Sequence, residues 1–594
     1  MGTSRRDFVR HLTLAAGVAT LGPGAMSGAG QAPIPRLGPE PRSQFPSLNR
    51  RSRGWLRFLW DKATTADDWS SSGVPHQWWD VYTTPGVQSY GRFDLQTSSY
   101  ALLLMADQTP AWREVYTRIA DGLASRFPTY WGAIDWLTQI GDDPKRANYP
   151  ERDMAQMPRQ LRGKYNRIGW TANGTAPWGL QRDPIGADGY LFFRGWFNLV
   201  LTIYKYVSGD DKWERPFMVT GYGDEKFEWD HGRIADLLER QYTQHEAGPH
   251  CENTKVWFSC NSAAALGLYL YDKIHGTQKH RPAESWLEYA RHNYMKISRE
   301  GKLESVTRYY DPLVDYKLNV GPEAAVNIAY LLVPQQRQAA TLLYEAAANA
   351  LEWRNGAKTI RASAPGLIMA RELGDHTAVA RLTAAAEREF EPRFFGDHEE
   401  HFGWFFHLNE AYPRGTQSAV MMVAEVGDEG AWTRAFEAPH RDKFDAPTVE
   451  GIDFPSLGLY QAWNDTASGV LHVGTYAATG DRWHAETTWR VTNLPNPAAV
   501  SIRCDGEPFT RFEIVGKTTI RLNTTIDNHS FEVLTRPTDR GRGQDADHRD
   551  EAIAAVGPAV GRAVCEQSPE SLARAARDLA TGRGPSCPCC SDGT

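Results

Sequence analysis

Through most of the chain, apolar residues recur every three to four positions with polar residues between them, the spacing of one buried helix face. From about Leu48 to Ala438 this pattern runs through "SSYALLLMADQ", "LFFRGWFNLVLTIYKYVSG", "CNSAAALGLYLYDKIHG", "PAESWLEYARHNYMKI", "QQRQAATLLYEAAANALEW" and "APGLIMARELGD". Gly276 and Gly374 follow the last apolar turn of their segments, where a left-handed C-cap is expected. About a dozen such helices joined by aromatic loops predict a mainly α fold, an α/α toroid.

Near Asp465 the period shortens to two. "GVLHVGTYAAT", "RWHAETTWRVTNL", "AAVSIRCDG", "FTRFEIVG", "KTTIRLNTT" and "HSFEVLTR" alternate, are rich in β-branched residues, and are punctuated by Gly, Asn and Pro. Residues 466–536 are therefore expected to be a small β-sandwich-like module on the helical region, with 439–465 as a linker. Residues 537–594 hold the charged stretch "PTDRGRGQDADHRDE", one predicted helix near Glu551 to Ala580, and the tail "GRGPSCPCCSDGT".

The N-terminus, "TSRRDFVRHLTLAAGVATLGPGAM", has Arg5-Arg6 ahead of Phe8 and Leu12 and a short apolar run. This is the order of a twin-arginine export signal, assigned to residues 1–32, followed by a Pro-rich linker at 33–47. The run Leu12 to Leu21 is too short to span a bilayer, so no stable membrane anchor is expected. The protein is expected to leave a bacterial cytoplasm folded, through the twin-arginine machinery, and to be periplasmic or secreted.

Composition changes the picture little. Hydrophobic residues make up 41% and charged residues 23%, the proportions of a soluble globular protein. A net charge of −7 without a basic stripe argues against a nucleic-acid partner. The 21 Trp, 24 Tyr and 23 Phe exceed ordinary usage and suit an aromatic-lined cleft as well as core packing.

No phosphate loop, dinucleotide fingerprint, HExxH or GxSxG stands in a fitting context. The strongest chemical signal is "HCENTKVWFSCNSAAALGLYLYDKIHG", with Cys251 followed by Glu252 and, nine residues on, Cys260 at a helix start. Three readings are open. An oxidising compartment permits a Cys251–Cys260 disulfide. Two thiols beside a carboxylate can instead act as proton donor and acceptor, Cys260 under the positive end of its helix. A zinc site lacks two further ligands nearby.

The same stretch resembles the linalool dehydratase/isomerase family, where Cys-Glu opens the segment and Cys-Asn-Ser follows at this spacing. "DPIGADGYLFFRGWFNLVLTIYKYVSG" is similar to the family's Asp-Pro-Ile segment and following helix, and "LIMARELGD" resembles a later helix. The resemblance runs from Leu56 to Ala438. It implies an (α/α)6 barrel and cofactor-free acid/base chemistry on a terpenoid allylic alcohol, isomerising geraniol to linalool and removing water to give myrcene. It assigns Cys251, Glu252 and Cys260 to the active site, with Asp61 of "FLWDKAT" matching an early aspartate. Family members assemble as rings, so a homo-oligomer is implied.

Four positions depart from the family. Its histidine falls on Trp196, its methionine on Phe192, and two tyrosines on Phe93 and Pro322. Each change removes a polar or soft handle from the expected substrate pocket, so a related reaction on a different apolar alcohol or alkene, or a reduced activity, is expected. Asp183 is assigned to a turn or cap, and His76 and His250 to hydrogen-bonded loop histidines or proton shuttles. Trp78, Trp79, Trp131 and Trp136 fit a cleft wall or the core. Two other functions compete: a carbohydrate-active toroid using Asp61 and Glu252 across a cleft, and a non-catalytic binder of an apolar ligand.

Overall fold

The computed structural model describes residues 37–38, 44–80, 91–133, 182–251, 255–312, 315–356 and 358–535. The described residues belong to one compact unit within Arg36–Thr594. The expected export signal, Trp136, Glu252 and the tail with its predicted helix lie outside the described residues. No helix among the described residues is long and apolar enough to cross a membrane.

The described residues are mostly helical up to Glu437 and sheet-rich beyond Thr448. In chain order the longer helices are α1 (Arg50–Thr64), α2 (Gly91–Gln108), α3 (Glu114–Arg126), α4 (Leu191–Ser208), α5 (His231–Gln244) and α6 (Phe258–His275). There follow α7 (Arg281–Tyr294), α8 (Val326–Leu332), α9 (Arg337–Ala350), α10 (Ala364–Glu372), α11 (His376–Glu389), α12 (Gly415–Val426) and α13 (Ala431–Glu437).

Burial alternates along this order. α2, α4 and α6 are buried on nearly every face, whereas α1, α3, α5 and α7 each bury one stripe. The apolar sequence of α4 accounts for this, because a helix without a polar face has no side to offer water. Contacts run from α2 to α4, α6, α8, α10 and α12, and α12 returns to α2. Local signals end the helices where the sequence places them. Gly209 and Gly276 take left-handed C-caps (φ 72° and 70°), Gly374 sits one residue past the C-cap of α10 at φ 70°, and Asn49 caps Ser52 N–H at 2.8 Å.

Two features of the sequence reading need correction. The region expected to be helices joined by loops also contains strands: β1 (Phe217–Thr220) and β2 (Lys226–Trp229) pair, as do β7 (Pro392–Phe395) and β8 (His401–Trp404). Between them, β3 (Val256–Trp257), β4 (Met295–Ile297), β5 (Leu303–Asp311) and β6 (Tyr316–Val320) form a third, antiparallel sheet. Second, the stretch 439–465, read as a linker, holds β9 (Thr448–Glu450) and β10 (Leu457–Asp465), so the strand-rich region begins before 466. The Asp/Pro/Gly punctuation of "DAPTVEGIDFPS" hides a three-residue strand, and β10 is as aromatic as the loops before it.

β10 pairs with β11 (Val470–Ala477), and in the same five-stranded sheet β11 pairs with the last strand, β14 (Ser530–Leu534). A four-stranded sheet containing β9, β12 (Glu486–Thr492) and β13 (Thr519–Thr525) packs against it through Trp489 and Phe531, 5.3 Å between ring centroids. This region shares one apolar core with the helices. Trp60 and Trp112 both meet Phe454, and the Glu114 carboxylate of α3 accepts from Gly451 and Ile452 N–H, each at 2.9 Å.

Candidate active site

α4 and α6 set the geometry of the site. A Cβ on Gly195 would lie 2.5 Å from the Ala264 Cβ, and one on Gly267 would lie 2.9 Å from Asn198 Nδ2. Each glycine leaves room for the side chain that the facing helix puts at its crossing. Residue 195 meets 264 and residue 198 meets 267, so the two helices run in the same direction. Their N-terminal turns therefore lie at the same end.

At that end is a cavity of about 390 Å³. Its apolar wall is Phe93, Phe192, Trp196, Trp257, Val320 and Ile328; its polar atoms come from Ser259, Cys260, Arg308, Asn327, Thr416 and Gln417. Phe93 is in the first turn of α2, Phe192 in that of α4, Cys260 in that of α6, Asn327 in that of α8 and Thr416 in that of α12. The positive ends of five helices thus converge on one small volume. The aromatic wall is tightly built: the Phe192 and Trp196 centroids are 3.6 Å apart, with Phe93 4.7 Å and 5.2 Å from them.

Cys260 lines the cavity and is 3% exposed. Cys251 is not on the wall but directly behind it, fully buried, its sulfur accepting the Phe192 N–H at 3.2 Å. Both are thiols here. The segment carrying Cys251 is pinned by Leu191 N–H to His250 O (3.1 Å) and by Cys251 N–H to Lys255 O (2.7 Å). Asn261 ties Pro249 O to Trp257 O through its amide, at 3.2 Å and 3.0 Å. The buried Arg194 guanidinium is pushed down to about 10 by burial, against the opposing pull of Asp188 and Cys251. An N–H donor and a guanidinium are the partners a negatively charged sulfur requires. His250 is pushed down to about 4, chiefly by burial and then by His245, so its ring is neutral near pH 7.

The other residues singled out in the sequence have structural partners. Asp61 is not on the cavity wall; it binds Arg57 and His401, each at 2.8 Å. Burial alone would raise its carboxyl, but the His401 hydrogen bond and the Arg57 charge outweigh it and the net shift is downward. Asp183 closes a turn onto Ile185 N–H (3.0 Å) and accepts from the Trp229 indole (3.0 Å). His76 Nδ1 accepts from Trp78 N–H at 3.3 Å. Trp78 and Trp79 pack in the core, Trp131 donates to Gly73 O at 3.1 Å, and none of the three lines the cavity. Pro322 opens a short 3-10 turn leading to Ala324 on the wall.

Several cavity groups escaped the sequence reading. Trp257 and Arg308 come from β3 and β5, and Arg308 sits where a bulge between Thr307 and Tyr309 breaks the β5–β6 register. The indole N–H groups of Trp196 and Trp257 are buried without a hydrogen-bond partner among the described residues. The Trp196 position therefore still carries a donor, contrary to the expected loss of every polar handle there. The Tyr100 hydroxyl, two turns from Phe93 on α2, is also buried without a partner, and its ionisation is opposed by burial, Tyr330 and Cys260. Under the wall, Asp94 pairs with Lys62 at 2.6 Å, its carboxyl raised to about 6 by burial against the Lys62 charge. Asp80 accepts from Gly415 and Thr416 N–H at 3.2 and 2.8 Å, fixing the α12 end that offers Thr416 and Gln417.

Comparison with solved structures gives distant likenesses. An alpha-1,6-mannanase, GH76A, from Salegentibacter sp. HEL1_6 matches with 10% identity over 64% of this chain and 98% of that chain, TM-score 0.34. Endoglucanase CelQ from Clostridium thermocellum, complexed with cellotriose, matches with 10% identity over 75% and 83%, TM-score 0.26. Neither bears on the residues of this site. Residues 171–438, which contain α4, α6, both thiols and most of the cavity wall, match the model of the linalool dehydratase/isomerase family.

Proposed function

We propose that the protein is an exported, cofactor-independent lyase or isomerase that dehydrates or isomerises an apolar, terpenoid-like alkenol inside an (α/α)6 toroid. The observation carrying this reading is Cys260 on the wall of an aromatic cavity, with Cys251 one layer behind it at the N-terminus of α4. Alternating buried and half-buried helices, and the contact from α12 back to α2, support the toroid. Export rests on the Arg5-Arg6 pattern of the sequence.

In the dehydration direction one thiol gives its proton to the substrate hydroxyl, the C–O bond breaks and water leaves. A base takes a proton from the carbon next to the resulting allylic cation, forming the new double bond. The proton gained by the base then returns to the acid, so the cycle closes without an external reagent. Cys260 is the thiol that meets the substrate; Cys251, which accepts from the Phe192 N–H and feels the charge of Arg194, is the one suited to hold negative charge. Glu252, next to Cys251 in sequence, relays the proton or positions the hydroxyl. The faces of Phe192, Trp196 and Trp257 stabilise the cation.

A glycosidase needs two carboxylates across its cleft. Asp61, one of the two carboxylates the carbohydrate reading would use, is engaged by Arg57 and His401 away from the cavity, so that reading is not favoured. The test is product analysis with a panel of terpenols and a panel of oligosaccharides. Dehydrated or isomerised terpenols are expected, abolished by Cys251→Ser and by Cys260→Ser with little change in melting temperature. Sugar cleavage, or full turnover by either serine variant, would overturn the proposal.

A further inference from the structure

At the end of α6 away from Cys260, three metal-ligating side chains meet. Glu214, His231 and His275 each bring one ligand atom to within 4.8 Å of the others. They come from separate elements: a 3-10 turn at Lys212–Glu214, the first residue of α5 and the last residue of α6. The turn is rigidly seated, since Lys212 and the Trp213 indole both bind Asp121 of α3. Tyr271 fixes both rings, stacking on His275 at 4.1 Å and meeting His231 edge-on at 4.9 Å.

The hydrogen bonds around His231 determine which of its nitrogens carries the proton. The Thr202 hydroxyl gives its only hydrogen to Asn198 O, at 2.7 Å. It can therefore only accept from His231 Nε2, 3.2 Å away, so Nε2 carries a proton. In the neutral ring Nδ1 is then a bare lone pair, and it faces Glu214 Oε1 at 3.0 Å, another acceptor. His275 Nε2 lies 3.4 Å from the same oxygen and is buried without a hydrogen-bond partner among the described residues. Two acceptors do not attract each other at this distance. Something positive belongs between them: a second proton on His231, or a metal ion.

We propose that Glu214, His231 and His275 bind one zinc ion. Two imidazole nitrogens and one carboxylate are borderline-soft donors, which suit zinc better than calcium or magnesium. A tetrahedral ion with bonds of ~2.0–2.1 Å holds its ligand atoms about 3.3 Å apart. The two separations from Glu214 Oε1, 3.0 and 3.4 Å, bracket that value. Thr202 supplies the outer partner that a metal-bound histidine uses to fix its tautomer. The nearby Lys205 ammonium is held by Asp211 and by Gly209 O, and does not occupy the site. At 1.5 Å per residue, His275 is about 22 Å from Cys260 along α6, so the ion is a staple for α4, α5, α6 and the 209–214 loop, remote from the proposed chemistry.

The test uses the full, untagged protein after removal of metal by a chelator, titrated with cobalt(II) and then zinc. One equivalent is expected to give the visible bands of four-coordinate cobalt without a thiolate charge-transfer band. This separates the site from the tail cysteines and from the Cys504, Asp505 and His529 group, which would both show such a band. Zinc should displace the cobalt and raise the melting temperature. His275→Gln and Glu214→Gln should lose this equivalent, and Thr202→Val, which disturbs only the outer partner, should weaken affinity by about 10–100-fold. Cobalt bands of thiolate character alone, or a melting temperature indifferent to zinc, would overturn the site in the wild-type protein without any variant. An unchanged stoichiometry in His275→Gln would do the same. The pair would then be an imidazolium–carboxylate contact.

Discussion

Replacing Gly195 by alanine tests whether the α4–α6 crossing sets the site. The new Cβ would lie 2.5 Å from the Ala264 Cβ, a fully buried atom on the facing helix. Carbon atoms are comfortable at ~3.5–4.0 Å, so the helices must part by about 1 Å. A Cβ has no rotamer by which to escape, which puts the cost near the upper end of the ~1–3 kcal/mol typical of overpacking. Alanine's better helix propensity offsets up to ~1 kcal/mol, leaving a net loss of about 2 kcal/mol. Ala264→Gly alone loses ~1 kcal/mol of propensity and ~0.8 kcal/mol of methyl burial. In the double variant the methyl has merely changed helices and the propensity terms cancel, so its stability should lie within ~0.5 kcal/mol of wild type. The coupling worked from these figures is about 4 kcal/mol, measurable by denaturant unfolding of the four proteins. Turnover should follow the same cycle. Trp196 adjoins Gly195, Cys260 is one turn from Ala264, and a 1 Å displacement can cost about 10²-fold in rate. A Gly195→Ala protein as stable as wild type, or a double variant no better than the singles, would refute the crossing as the determinant.

The neutral ring of His250 should appear in the pH dependence of stability. Its folded value, about 4, lies below the ordinary 6.5, so the unfolded chain takes up the proton first as pH falls. The contribution is complete above pH 6.5, is lost on acidification towards 4, and amounts to about 3 kcal/mol; His250→Gln should flatten that part of the curve, and an unchanged curve would contradict the burial argument. Asp61→Asn removes the carboxylate bound by Arg57 and His401 and should cost about 1–3 kcal/mol. Because the Asp61 carboxyl is held below its ordinary 3.8, the stability it confers is present above that pH and fades below it. Turnover should persist in this variant, and its loss with stability intact would restore the catalytic role that family resemblance assigns. Trp196→His should change the preference among apolar alcohols while leaving the melting temperature near wild type; no change in binding or turnover would count against Trp196 as part of the pocket.

What could be read from the sequence follows from period and proximity. The apolar run of α4 and the Cys260 position at the start of α6 are local facts, so periodicity located both helices and the thiol. Asp61 shows where local reading stops. Its neighbour Lys62 reaches the buried Asp94, while Asp61 turns to Arg57 one turn back and to His401, which no local pattern connects to it. Successive residues on a helix diverge by about 100°, and nothing within "FLWDKAT" states which of the two faces inward. The strand-built part of the wall was equally hidden. β3 is two residues long, its partner β5 lies some fifty residues later, and Arg308 is oriented by a bulge that appears only once β6 is paired.

Five helix N-termini converging on the cavity create a field with a consequence for the proposed chemistry. Each such end acts as a partial positive charge and contributes ~0.3–1 kcal/mol at a surface, and up to ~2 kcal/mol when partly buried. An allylic cation forming there would be opposed by the scaffold unless negative charge stands close by. Cys251, which accepts from the Phe192 N–H and feels the charge of the Arg194 guanidinium, is where that charge can be kept. On this view Cys251→Ser loses more than a proton acceptor, because the field it leaves behind repels the intermediate. A substituted ammonium that mimics the allylic cation and a neutral compound of the same shape separate the two effects in a binding assay that needs no turnover. The ammonium should bind the wild-type protein about tenfold or more tighter than Cys251→Ser, a difference of ~1.4 kcal/mol. The neutral compound should bind both alike. Equal binding of the ammonium to the two proteins would show that the sulfur carries no compensating charge, and the base would then have to be sought on the wall itself.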